Sequence, residues 1–505
     1  MADLREFKLN NIIEYKGLWS LSAVGIYTNK RIETAVRGTL KINNGKIGLE
    51  INGKLKSYNF KNIYNSFDIF GYLSNGLYVK LEKCYITGRY FPSPGYPTES
   101  YTSARGFIIN KNDDNIISKT LQATQVRISL NYLEDWYDIN LPTINNVGDD
   151  GSYSIDYNND FFDNNNYEIL DGKYYVKLVR NLTQNHNIHK GVITEVDSYL
   201  KINSKGYEPK PIDNLLDLVF WFKEFINFIT QTFGNLTECT YLLEDNVNRI
   251  WIEKIKKDEY IYHRPYYEGK LIFNQLSFNN DELNFYSLRL SNIYKDFRLL
   301  INEWFKNKDN LDYIISLYNQ NQIPNLDINT KLVNQIKILE SYYDNYKVNK
   351  REKINNRENK LNETKIKLKE YLNLFDVEVG IKEDIIKNIN YSSKNKKPTL
   401  REKLKVILES LPKEFKFIFN YIDPERNRDD KFIDKFAARL KDTRNYHTHG
   451  ANPNKNKNRY KSIKEIIRVN QVLDYIIYIL VLKALGLDDK KILNYPFIKD
   501  KIMEY

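Results

Sequence analysis

The chain has 505 residues, 42% of them hydrophobic and 14% aromatic, and its 76 Lys and Arg against 65 Asp and Glu give a formal net charge of +11. Such apolar content excludes a disordered protein, and the length exceeds what one hydrophobic core usually organises. Two isolated cysteines, Cys84 and Cys239, exclude a disulfide framework or a cysteine zinc site and suit a reducing compartment. Up to about residue 205, short runs alternate apolar and polar residues between tight-turn dipeptides. Asn44-Gly45 separates the run ending at Ile42 from Lys46 to Ile51, a hairpin signal because a type I′ turn needs positive φ at both central residues. Asn52-Gly53 and Asn75-Gly76 repeat it, the latter ahead of the strand-like Leu77 to Leu81, and Gln122 to Tyr132 reads as a further strand. Near Pro211 the period changes. Leu215 to Phe233 reads as a buried helix, since Asp217, Lys223 and Glu224 interrupt it as a membrane span. Aromatic strand-like runs return from about residue 250 to 290, among them Ile250-Trp251-Ile252.

Beyond residue 290 the signals are helical. Asp327 is placed to cap a helix with an apolar stripe through Leu332, Val333, Ile336, Leu339 and Tyr343. The heavily charged Lys347 to Lys369 reads as a solvated helix face or extension. Helices follow over Thr399 to Leu411, Lys431 to about Tyr446, and Tyr460 to Leu485. The last stops near Gly486, and its apolar part from Tyr475 to Leu487 is too short to cross a bilayer. This order predicts an α+β multidomain chain. A β-rich N-terminal region covers residues 1–205, a mixed α/β connecting region 206–290, and an α-helical domain 291–505. The opening MADLREFKLN carries no signal-peptide pattern, so a cytoplasmic protein without membrane contact is expected.

Charge divides along the same line. From Ser341 to Tyr505 there are 37 basic against 24 acidic residues, a net +13, while the remaining 39 against 41 leave −2. Positive charge in the C-terminal third attracts and steers a polyanion. Within it, Arg444-Asn445-Tyr446-His447-Thr448-His449-Gly450 follows the stripe Phe432, Ile433, Phe436, Ala437 and Leu440 and holds two of the five histidines. Arg offers a permanently charged fork for phosphate oxygens, and His exchanges a proton near neutral pH. Together they suit RNA cleavage by the neighbouring 2′-hydroxyl, which needs orientation, charge stabilisation and proton transfer but no metal. No cofactor is expected. Spacing leaves the partner of Arg444 open: on a continuing helix His447 at i+3 shares its face and His449 at i+5 is rotated away, unless the helix frays before Gly450. Near that terminus the helix dipole favours imidazolium and so assists a proton donor more than a base.

Arg444 and His449, separated by four positions of which the first is the polar Asn445, resemble the motif of HEPN-domain ribonucleases, as does their place between two helices of a basic helical domain. Gly17-Leu18-Trp19, Gly38-Thr39-Leu40, Asn75-Gly76 and Leu133-Glu134-Asp135-Trp136 are similar to the N-terminal domain of ApeA-type anti-phage HEPN proteins. The resemblance implies a β-rich region followed by a HEPN-like bundle, and a homodimer in which two motifs face each other in one cleft. It further implies cleavage that leaves a cyclic phosphate, a role in abortive infection, and an N-terminal region that senses infection; the strand-connecting loops of that near-neutral region suit a phage protein as the trigger. Arg444 then positions phosphate, His449 handles the proton or the 2′-oxygen, Asn445 supports the site, and Glu340 and His447 are accessory residues. RNA is the implied partner, with transfer RNA the family-level expectation. Lys455, Lys457, Arg459 and Lys461, next to the motif, are candidates for phosphate contacts. A catalytically inactive HEPN-like dimeric binding module is the rival reading, and a β-rich ligand-binding protein with a helical oligomerisation tail is a third.

Arg180-Asn181 followed by His186 mimics the motif, but no apolar helices flank it, and it reads as a loop. His186, His189 and His263 show no metal-ligand spacing.

Overall fold

The computed structural model describes chiefly residues 12–22, 35–55, 66–109, 121–139, 143–146, 153–156, 161–187, 191–244, 251–273, 287–346, 363–385, 398–422, 431–450 and 458–495, with short exceptions inside these spans and a few single positions such as Phe7 and Gln275. It divides into two compact units, Met1–Lys306 and Asn307–Tyr505.

The first unit begins with β1 (Ile13–Ser20), β2 (Val36–Asn43), β3 (Lys46–Asn52), β4 (Phe67–Leu73), β5 (Tyr78–Tyr90) and β6 (Thr98–Ser103). Every neighbouring pair is antiparallel, and the pairings β4–β1–β2–β3–β6–β5–β4 close a six-stranded barrel. Burial alternates along β2 and β3, so one face of each strand fills the barrel, as a two-residue period requires. Trp19 is wholly buried there. A Cβ on Gly71 would collide with its indole ring, and one on Gly38 would stand 3.0 Å from its Cδ1, so the two glycines make the space that the ring fills. Gly45 and Gly76 take φ of 75° and 89°, the left-handed conformation expected of their turns.

Strand β5 also pairs through its first half with β7 (Arg105–Ile109), which carries the sheet beyond the barrel. There β8 (Gln122–Leu130), the hairpin of β9 (Thr143–Asn146) and β10 (Tyr153–Asp156), β11 (Tyr167–Ile169), β12 (Tyr174–Asn187), β13 (Gly191–Ser204), β14 (Lys210–Pro211), β15 (Leu236–Glu244), the hairpin of β16 (Trp251–Lys256) and β17 (Glu259–His263), and β18 (Tyr266–Phe273) follow in chain order. The sheet continues β7–β18–β15–β8–β13–β12–β11. Residues 206–290 are therefore not a separate connecting region. Both β15 and β18 lie inside the sheet, because non-local pairing joins them to β8 and β7. The Arg180 to His186 segment is likewise no loop but part of β12, paired residue by residue with β13.

Helix α1 (Leu133–Trp136) is a single turn that buries Trp136, whose Nε1 donates to Leu288 O. Helix α2 (Ile212–Thr230) is apolar on several faces and buries most of them. Past α3 (Leu290–Ile293), helix α4 (Phe297–Lys306) brings Trp304 onto Trp221 of α2, with ring centroids 4.6 Å apart. Each indole donates to the other's backbone carbonyl, at 3.1 and 2.9 Å. This reciprocal lock explains why the first unit reaches Lys306 and not about residue 290.

The second unit is helical: α5 (Lys308–Gln320), α6 (Ile328–Tyr346), α7 (Leu400–Glu409), a 3₁₀ segment Lys413–Tyr421, α8 (Phe432–His449), α9 (Ile463–Ala484) and α10 (Asp489–Asn494). Asp327 accepts from Thr330 N at 2.9 Å, the cap expected for α6. Helix α6 packs against α5, α7, α8 and α9. Its Gln335 donates to Asn470 O and Asp474 Oδ1 of α9 at 2.8 and 2.6 Å, and Lys331 pairs with Asp474 at 2.7 Å. Buried polar groups so matched fix one register between α6 and α9. Among the described residues, no helix is long and apolar enough to cross a membrane.

Candidate active site

Helix α8 buries Phe432, Phe436, Ala437 and Leu440, and Phe432 stacks on Phe436 with centroids 5.9 Å apart. The apolar stripe predicted from the sequence thus fixes the rotation of the helix, which decides where its last two turns point. The helix does not end at Tyr446. It runs through His449, and Gly450 stops it with φ 55° and ψ 30°, a left-handed cap that a glycine adopts without strain. Thr448 Oγ1 donates to Arg444 O at 2.7 Å, one turn back, which shows the backbone still helical there.

Arg444 and His449 nevertheless meet. A five-residue step on an α-helix advances about 7.5 Å and turns roughly 140°, too far for short side chains. The arginine's length covers the difference: its Nη1 lies 3.5 Å from His449 Nε2, at the outer limit of a hydrogen bond. With a lone pair on Nε2 the ring accepts from the guanidinium. The two come together through the reach of Arg444 and not through fraying before Gly450. Asn445 Oδ1 receives a long contact from the same Nη1, 3.4 Å.

Glu340 on α6 stands behind the arginine, its Oε2 3.6 Å from Arg444 Nη2. The other carboxylate oxygen accepts from Lys403 Nζ of α7 at 3.3 Å, and Lys403 also reaches Asp344 at 2.6 Å. Burial alone would lower the Lys403 pKa, but Asp344 and Glu340 outweigh it and raise the value, keeping the ammonium charged. Glu340 therefore bridges two cations from two helices. Lys403 and Asp344 carried no local sequence signal, since their contacts are made across the helix packing. The Nε of Arg444 is buried and finds no acceptor among the described residues, a donor left to spare in the site.

His447 is not drawn into this group. Its side chain is largely exposed, and partial desolvation still lowers the imidazole pKa, a shift that Asp327 opposes and Arg459 reinforces. Arg459 lies with its guanidinium 4.1 Å above the Tyr446 ring, beside the motif. The chain that carries it is stapled to α8: Tyr460 N donates to Thr443 Oγ1 at 3.0 Å, and Arg439 donates from Nε to Asn458 O at 3.2 Å. Lys461 is exposed, while Lys455, Lys457 and His189 lie outside the described residues, as do the side chains of His186 and His263.

The arrangement offers a forked cation held by a carboxylate, an exposed imidazole in contact with it, and a second basic side chain, Arg459, over the neighbouring Tyr446 ring. Such a set binds an anionic oxygen and transfers a proton next to it.

Comparison with family models gives two matches, ApeA N-terminal domain 1 over residues 14–285 and Apea-like HEPN over residues 333–491. Comparison with curated proteins and with solved structures gives none. The first model spans more than half of the chain and the second encloses Glu340, Lys403, Arg444 and His449, so the chain belongs to the ApeA family, an ApeA N-terminal domain followed by an Apea-like HEPN domain.

Proposed function

We propose that the chain is a metal-independent RNA endonuclease whose working groups are Arg444 and His449. The observation that carries this reading is the 3.5 Å approach of Arg444 Nη1 to His449 Nε2, with Glu340 anchoring the arginine from behind. Family membership supports a defence-associated HEPN nuclease. In the reaction the 2′-oxygen attacks the adjacent phosphorus and the bond to the 5′-oxygen breaks. The 2′-hydroxyl proton leaves, a proton is delivered to the departing oxygen, and a 2′,3′-cyclic phosphate remains. His449 handles a proton, Arg444 offsets the charge that grows on the phosphate oxygens, and Asn445 supports the arginine. Arg459 and Lys461 serve as backbone contacts.

We assign the work to a homodimer formed through the helical unit, so that two Arg444/His449 pairs share one cleft and one pair takes the base role while the other acts as acid. Transfer RNA in the cytoplasm is the proposed substrate, abortive infection the outcome, and a phage protein meeting the β-rich unit the trigger. One observation favours the rival reading of a catalytically silent dimeric module: Arg444 already has a carboxylate partner in Glu340.

The test is sequencing of RNA 3′ ends from cells expressing the wild type or His449→Ala. New cyclic-phosphate ends are expected with the wild type alone, and identical ends in both would remove the assignment. In vitro, cleavage should survive EDTA and stop when the scissile sugar is 2′-deoxy.

A further inference from the structure

Arg444 makes no close hydrogen bond among the described residues, although a carboxylate stands beside it. Arginine and carboxylate usually close on each other through two parallel hydrogen bonds of about 2.7–2.9 Å. Here Glu340 Oε2 stays 3.6 Å from Nη2, and the contacts of Nη1 with Asn445 and His449 are 3.4 and 3.5 Å. The buried Nε has no acceptor among the described residues. A guanidinium whose donors are so lightly used keeps them for an incoming anion.

Lys403 is what holds Glu340 off. The cap of α7 sets its place: Thr399 N donates to Glu402 Oε2 at 2.8 Å, and Thr399 Oγ1 accepts from Glu402 N at 3.4 Å. Leu404, Ile407 and Leu408 bury the neighbouring face of that helix. The lysine stem follows the packed side, so that only 12% of its side chain is exposed while the ammonium reaches two carboxylates. Nζ donates to Glu340 Oε1 at 3.3 Å and to Asp344 Oδ2 at 2.6 Å. Among the described residues, the cation to which Glu340 is hydrogen-bonded is therefore the lysine and not the arginine.

Charge leads to the same place. Glu340 and Asp344 lie one turn apart on α6 and share Lys403, while Glu340 alone also meets Arg444, so these four groups are neutral together. Without the lysine they would carry a net −1 where a phosphate has to dock, and Arg444 would be the cation left for Glu340 to approach among the described residues.

We propose that Lys403 is a positioning residue that draws Glu340 away from Arg444 and so leaves the arginine's charge and donors open to an RNA phosphate. This role rests on the RNA-cutting reading of Arg444 and His449. It also accounts for an arginine that has a carboxylate neighbour and still receives an anion.

The experiment compares the full-length wild type with Lys403→Met, Lys403→Arg, Glu340→Gln and the Lys403→Met/Glu340→Gln double variant on a single-stranded oligoribonucleotide. Each is checked for folding by circular dichroism, and Lys403→Gln takes the place of Lys403→Met should the latter not fold. Lys403→Met should raise KM about tenfold and change kcat by about twofold or less, because RNA must first displace Glu340 from Arg444. Lys403→Arg should stay within about twofold of the wild type, since it keeps the charge. In the Glu340→Gln background Lys403→Met should add about a twofold rise at most: no carboxylate is left to close on Arg444, and Asp344 is half-exposed and screened by water. An unchanged KM in folded Lys403→Met would overturn the role. So would an equal loss in both backgrounds, the mark of a lysine that merely braces α6 against α7. A crystal structure of Lys403→Met reads the geometry without RNA. Glu340 should come within about 3 Å of Arg444, and a carboxylate still 3.6 Å away would also overturn the role. If the wild type cuts no RNA, the RNA-cutting reading fails by itself, and the crystal structure then decides whether Lys403 holds Glu340 off.

Discussion

Two places in the chain spell Arg-Asn followed within a few residues by His, and the fold treats them in opposite ways. Arg180 lies on strand β12, fully buried, donating to Ile139 O at 2.9 Å and Glu134 O at 3.3 Å, with its guanidinium 5.1 and 5.8 Å from the rings of Phe162 and Tyr137. His186 is six residues further along the same strand, which at about 3.3 Å per residue is some 20 Å away. Arg444 lies on a helix, where five residues cover about 7.5 Å and the side chain spans the rest. A letter pattern becomes a chemical pair only where the backbone compresses it, and the extended copy is consumed in holding a core together.

That contrast can be broken by substitution. Arg444→Ala or His449→Ala should reduce RNA cleavage about a hundred- to ten-thousandfold, the usual worth of a proton-transferring group, with an unfolding midpoint like the wild type. A retained rate would mean that the helical pair is as inert as the strand pair. Arg180→Ala should do the reverse. Two part-buried carbonyls would lose their donor and a cavity would open beside two rings, so stability should fall by about 2–4 kcal/mol in denaturant melts while folded protein keeps its specific activity.

Smaller changes sharpen the comparison. Glu340→Gln removes the anchor of Arg444 but not the arginine, and because both side chains are partly exposed the effect should be about two- to fivefold on kcat. An effect as large as that of Arg444→Ala would make Glu340 a direct participant. The least effect concerns His447, whose folded pKa is lowered by burial. The folded chain then binds this proton less tightly than the unfolded chain, so its contribution to stability is intact above about 6.5 and is lost as pH falls toward the folded value. An NMR titration should find the His447 midpoint below 6.5, and a midpoint above it would show that Asp327 outweighs the partial desolvation of the ring.

Much of this was legible in the letters. Turn glycines and alternating runs announced the strands, and the stripe ahead of Arg444 announced the helix that carries the site. Three things were not. Closure of the barrel depends on β5 pairing with β4, β6 and β7, contacts that periodicity does not encode. Likewise, nothing in the letters around Gly71 marks it as the position that makes room for the Trp19 ring. Lys403 reaches Glu340 from 63 residues away, so its role depends on how α6 and α7 pack. The end of α8 was read three residues early because His-Thr-His favours no helix, whereas Gly450 sets the stop.

The unbroken run of α8 to Gly450 makes the encounter of Arg444 with His449 a matter of phase. Inserting or deleting one residue between positions 444 and 449 would rotate His449 by about 100° relative to the arginine, and no local loop is there to absorb the slip. Length changes just after Gly450 have no such effect on the pair. The gene should therefore tolerate insertions on one side of a single glycine and reject them on the other, a boundary that a scan of one-codon insertions would draw directly.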